Sequence, residues 1–226
     1  MLSNISKLGK VLKTLNRLEG IKEFNASLPI KIEVKSQLNP IRYKILLGKR
    51  EIETKSYLPL EVGKKYIAEI KQQSKNIQIT NLKPFPKLLE TVENIDFKEE
   101  LTHLSKEKIL KHLSTSTNKQ DFIFFSNLFF ALTQHNIHHL VINDKRKALM
   151  QFKYQKNRVK FYALFTHLNE LKGEITPEYV KIISPFSSTL SLIELYKDEL
   201  NLKVYTSKDE IKPLYNFSEN LINLKV

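Results

Sequence analysis

The chain reads as α+β: a small antiparallel β-barrel or sandwich domain, followed by an antiparallel sheet covered by helices. Three observations predict this. Between residues 30 and 82, short runs alternate apolar and polar residues at roughly eight to twelve residue intervals, with Gly and Pro between them. From Met150 to Phe165 the period of two returns in longer runs. From Ser187 to Leu200 the apolar spacing becomes helical, and a last strand follows. Four stretches result: an N-terminal helix over 1–28, a basic β domain over 29–83, a linker over 84–99 and an α+β domain over 100–226.

In the first stretch Leu2, Ile5, Leu8, Leu12, Leu15 and Leu18 recur at spacings of three and four, with Lys7, Lys10, Lys13 and Arg17 between them. That is an amphipathic helix ended by Gly20. A basic amphipathic helix can lie on a membrane or in a partner's groove. The commoner reason for such a stripe is packing on the domain behind it.

Ile30, Ile32 and Val34 then alternate with Lys31, Glu33 and Lys35. A second strand carries Ile41, Tyr43 and Ile45 on one face, Gly48-Lys49 makes a hairpin turn, and Glu51 to Ser56 returns. The loop Leu58-Pro59-Leu60-Glu61-Val62-Gly63 leads into Tyr66 to Lys71 and Ile77 to Leu82. Pro84 and Pro86 mark the linker. Beyond it, Glu100 to Leu113 and Gln120 to Gln134 have helical patterns. The second holds Phe122, Phe124, Phe125, Phe129 and Phe130, and the sheet from Met150 onward is the nearest cover for so much aromatic surface. A hairpin turning at Lys156-Asn157 joins Met150, Phe152 and Tyr154 to Val159, Phe161, Ala163 and Phe165. Leu168, Leu171 and Gly173 lead to a short strand, Thr176-Pro177 turns, and Tyr179 to Ile183 returns. Ser184 with Pro185 predicts the start of a helix through Leu192, Ile193, Leu195, Tyr196 and Leu200. Asn201 ends it before Leu202, Val204 and Tyr205.

The charge is the strongest compositional signal, +13 over 226 residues. It divides as +3 on 1–29 (5 basic, 2 acidic), +6 on 30–82 (11 and 5), +1 on 83–119 (7 and 6) and +3 on 120–226 (14 and 11). Such an excess favours polyanions, acidic protein surfaces or anionic lipid. In the β domain the candidate basic face is Arg42, Lys44, Lys49, Arg50, Lys64 and Lys65, with Tyr43, Tyr57 and Tyr66 among them. An OB-like module that binds nucleic acid without sequence preference is the alternative reading of that face. Against it, Tyr43 shares the face of Ile41 and Ile45, which makes it core rather than a stacking platform.

Other classes have little to stand on. The chain has no Cys, so disulfides, Cys-based zinc and thiol catalysis are excluded. No apolar run approaches the roughly 20 residues of a membrane span. The N-terminus lacks the separate charged and apolar regions of a secretory signal. The His-rich stretch 134–139 brings no carboxylate with it, so it reads as helix-end and loop histidines rather than a metal site. There is no nucleophile elbow, P-loop or dinucleotide fingerprint. The pairs Glu99-Glu100, Asp198-Glu199 and Asp209-Glu210 fall in polar stretches that would not split their pKa values. The expectation is a protein that is not an enzyme and holds no metal or cofactor.

The order of strand, strand, Leu168-x-x-Leu171-x-Gly173 corner, Ile175, strand, helix Ser187 to Leu200 and strand Leu202 to Tyr205 resembles the C-terminal domain of flagellar hook-length control proteins, the FliK family. The Leu58-Pro59-Leu60-x-x-Gly63 loop also occurs in the module that precedes that domain in some relatives. The resemblance implies a cytoplasmic adaptor of the flagellar type III export system, whose partner is the cytoplasmic domain of the export-apparatus switch protein (FlhB family). It implies partner-binding roles for Gly173, Ile175 and Leu200. Fewer than thirty residues precede the first strand, so the expectation is a relative or companion without the long ruler segment, cytoplasmic or itself exported.

Overall fold

The structure, a computed structural model, describes residues 10, 11, 14, 15, 28–73, 76–94, 104–143 and 147–217. Strands β1 (Ile30–Asn39), β2 (Arg42–Leu47), β3 (Arg50–Lys55), β4 (Lys65–Gln73) and β5 (Asn76–Pro84) form the first sheet, in the order β3-β2-β1-β4-β5. All its pairings are antiparallel. The period of two sends Ile32, Val34, Tyr43, Ile45, Tyr66, Ala68 and Ile70 into one core. The anticipated barrel does not close. β3 stays an edge because Arg50, Glu51, Glu53 and Lys55 are exposed along it, and a charged edge resists further pairing. Ile67 and Glu69 point the other way, toward the second half of the chain.

That half is the sheet β11-β10-β9-β8-β7-β6, built from β6 (His138–Asn143), β7 (Lys147–Gln155), β8 (Arg158–Phe165), β9 (Asn169–Ile175), β10 (Tyr179–Ser184) and β11 (Lys203–Lys208). The α+β class, the hairpin at Lys156-Asn157 and the helix before the last strand are as the sequence predicts. One pairing departs from the antiparallel expectation: β11 runs parallel to β10 because a helix connects them.

Helices cover both faces of this sheet. On one lie Ala148, Met150, Phe152, Phe161, Ala163 and Phe165, roofed by α4 (Ser187–Leu195), the following 3-10 turn Lys197–Leu200, and Val11 and Leu15. Lys10, Val11, Thr14 and Leu15 are helical, so the packing reading of the N-terminal stripe holds at Leu15, and Val11, which that stripe leaves out, is buried beside it. The rest of that stripe lies outside the described residues. The opposite face carries Leu149 and Val141, covered by α2 (Lys106–Thr115) and α3 (Lys119–His135). Phe124 and Phe125 of α3, with Leu128 beside them, supply the cover that the sequence assigns to this sheet.

The expected linker contains a helix, α1 (Lys87–Asn94), with Leu89 and Val92 buried. Pro84 does break the chain at the end of β5. Pro86 instead opens α1, its carbonyl accepting from Leu89 and Glu90 N–H, at a place where a proline's missing donor costs nothing. A second correction concerns α4. Its N-cap is Phe186, without a side-chain cap, because the Ser184 hydroxyl donates to Glu170 O and accepts from Phe186 N–H.

Candidate docking surface

The loop between β3 and β4 is fixed from inside and apolar outside. Leu60 is buried, and its N–H donates to the hydroxyl of Tyr43, itself a core residue. Glu61 N–H donates to the Tyr66 hydroxyl at 3.1 Å. Gly63, at φ +82°, turns the chain so that its N–H reaches Val34 O at 2.8 Å. At the other end Ser56 N–H donates to Ile41 O, and Ser56 Oγ donates to Leu58 O. Pro59 adds a fixed φ between these anchors.

What this frame displays is unusual for an exposed tip. Tyr57 is 88% exposed, Leu58 64% and Val62 54%, and the end of β1 and the β1–β2 turn add Leu38 and Ile41. These five side chains, Leu38, Ile41, Tyr57, Leu58 and Val62, are the majority of the large exposed apolar residues among those described. Apolar surface gathered at one place, flanked here by Arg42 paired across from Lys55, is the composition of a protein-binding patch. The sequence gives the loop but places Ile41 in the core with Tyr43 and Ile45. β2 begins one residue later, at Arg42, so Ile41 belongs to the turn.

The expected basic face is a mixed one. Lys44 pairs with Glu51 at 3.0 Å, Lys64 with Glu61 at 2.5 Å, and Lys65 with Glu90 of α1. Arg42, Lys49 and Arg50 are exposed, but Lys49 and Arg50 sit at the opposite end of β2 from Arg42. Of the three tyrosines weighed for stacking, Tyr43 and Tyr66 are core and only Tyr57 is exposed.

Of the three residues carried over for partner binding, Ile175 and Leu200 occupy the interior and Gly173 is half-buried in β9. Ile175 is fully buried and Leu200 is 6% exposed, both within the core beneath α4. Gly173 is required by close approach: a Cβ there would stand 1.9 Å from Lys181 O of the neighbouring strand. Ile175 and Leu200 offer no surface to a partner in the folded protein. Apolar residues following a corner in a half-covered sheet are claimed by the nearest core.

A groove of about 830 Å³ lies between α1, α3 and the segment Pro213 to Phe217, floored by Tyr162 and Glu170. The Tyr162 hydroxyl donates to Glu170 at 2.7 Å, and burial pushes both groups' pKa values up. The groove's other carboxylate, Glu90, is committed to Lys65. His138 and His139 sit in β6 rather than in a loop. They point to opposite faces, one stacked on Phe152 and one against Phe217. Among the described residues no three His, Asp or Glu side chains converge as a metal site would need. Asp198, Glu199, Asp209 and Glu210 are exposed, and Glu99 and Glu100 lie outside the described residues. Among the described residues no helix is long and apolar enough to cross a membrane.

Comparison with protein-family models, with curated proteins and with solved structures gives no match for this chain.

Proposed function

We propose that this protein is a non-enzymatic adaptor of flagellar type III export, docking onto the cytoplasmic domain of the export-apparatus switch protein and acting there on substrate switching and hook length. The observation that carries the reading is the Leu58-to-Gly63 loop. It is the segment that resembles the module of hook-length control relatives, and it is also where rigidly held apolar side chains face solvent. The order of elements from β7 to β11 supports the same kinship. Docking is assigned to the loop and not to Ile175 or Leu200, whose substitution would act by loosening the core.

Two measurements test this in the organism of origin. Deletion of the gene is expected to alter motility and hook length. The full-length protein is expected to capture the switch protein's cytoplasmic domain through washes at moderate salt, since an apolar contact is little screened. Leu58→Glu should abolish capture without moving the thermal melting curve. Unchanged motility and hook length in the deletion strain would overturn the flagellar assignment, and capture indifferent to Leu58→Glu would overturn the loop as its surface.

A further inference from the structure

Among the described residues, none packs over one half of one face of the second sheet. α1, α3 and the segment ending at Phe217 close over Leu149, Gln151, Tyr162 and Leu164, but they stop short of the strand ends near the β7–β8 hairpin. Across that open half, register aligns Lys153, Lys160, Glu174, Lys181 and Tyr205 on β7, β8, β9, β10 and β11. Because residues two apart share a face, Lys172, Arg158 and Lys203 lie in the adjoining rows. Lys153, Lys160, Lys172, Lys181 and Lys203 form no ion pair among the described residues. The carboxylate inside the row, Glu174, is already used on both oxygens, accepting from Arg158 at 3.1 Å and from the Tyr179 hydroxyl at 2.9 Å. Counting Glu178 in the neighbouring turn, the patch holds six basic groups against two acidic ones, a net +4.

We propose that this open face binds single-stranded nucleic acid, with its lysines meeting phosphates and Tyr205 offering a ring to a base. Five strands about 4.8 Å apart span roughly 19 Å, room for several backbone charges in a line. Tyr205 is 55% exposed at the end of the row and is braced edge-on by Tyr179 at 5.7 Å. Aromatics on a sheet face among cations are how single strands are held without sequence preference. The same surface suits a protein partner poorly, because lysine is depleted from protein interfaces and no exposed aliphatic side chain lies in these rows. The face is on the other sheet from the docking loop, so each can stand or fall without the other.

Fluorescence anisotropy of a labelled oligothymidylate, titrated with the full-length protein over a salt series, tests it. Binding is expected to weaken steeply with salt. Lys160→Gln combined with Lys181→Gln should flatten the log–log salt slope by about 1.4, at about 0.7 per lost phosphate contact. Tyr205→Ala should weaken binding on the order of tenfold and leave that slope unchanged. Arg42→Gln with Arg50→Gln, on the first sheet, should change nothing. All are exposed or half-exposed positions, and unaltered circular dichroism melts verify the fold. No binding, binding that depends on Arg42 and Arg50 instead, or association confined to anionic lipid vesicles would overturn the proposal.

Discussion

His139 shows how a single position sets a property of the whole chain. Its alternation in β6 sends it inward, where burial and the neighbouring His138 hold its pKa down to about 3 from an ordinary 6.5. Between those values the unfolded chain takes up a proton that the folded one refuses, so the stability is present above pH 6.5 and drains away as pH falls. From pH 7 to pH 5 the loss from this residue is about 2 kcal/mol, and His139→Phe should remove it. Urea unfolding midpoints at the two pH values, for both proteins, check this; equal acid sensitivity would place its source elsewhere. The sequence shows the cluster of histidines but not this outcome, since the period of β6 is too short to separate a strand from a loop. Gly173 is similar. Its place in a corner is legible, while the reason for glycine there, the backbone of Lys181, lies on another strand.

At the scale of elements, α4 is capped from across the molecule. Glu69 of β4 is 7% exposed and accepts from Ser188 N–H at 2.7 Å and Ser188 Oγ at 2.8 Å. Asn81 holds its other oxygen and also donates to Pro185 O. A carboxylate at a helix N-terminus satisfies an orphan donor and meets the positive end of the helix dipole. Glu69→Ala is therefore expected to cost about 2 to 3 kcal/mol, because Ser188 loses its acceptor in a half-buried place. Ser188→Ala removes only the hydroxyl bond and should cost about 1 kcal/mol. Chemical denaturation ranks the two, and a reversed order would mean the backbone bond contributes little. Ser184 and Pro185 were the sequence's candidates for this start. Local pattern offered a cap in the right place, and a distant carboxylate took the role.

For the whole molecule, the decisive contact is the cluster of Ile67 from the first sheet, Leu89 from α1, and Tyr162, Leu164 and Phe186 from the second half. It makes the supposed linker a joint. Ion pairs from Lys65 to Glu90 and from Lys83 to Glu210 brace its rim, though exposed pairs of this kind add little. Circular dichroism and tyrosine fluorescence should therefore report one coincident unfolding transition. Leu89→Ala should lower both midpoints together by an amount worth about 2 to 4 kcal/mol. Separate transitions in the unaltered protein would show that the two sheets unfold independently.

By itself the sequence determined the strands β1 to β5 and β7 to β11, the helices α2 to α4, the α+β class and the hairpin at Lys156-Asn157, but neither α1 nor β6. Each follows from a period carried by neighbouring residues, and steric preferences along the backbone are enough to express it. Only the tertiary structure decided that the first sheet stays open, that Ile175 and Leu200 are core, that Lys44 and Lys65 are answered by acids, and that Lys153, Lys160 and Lys181 align across the sheet with Glu174 between them. Those outcomes depend on which strands become neighbours and in what register. A shift of one residue in pairing would turn every side chain of a strand to the other face, and no local pattern records that choice.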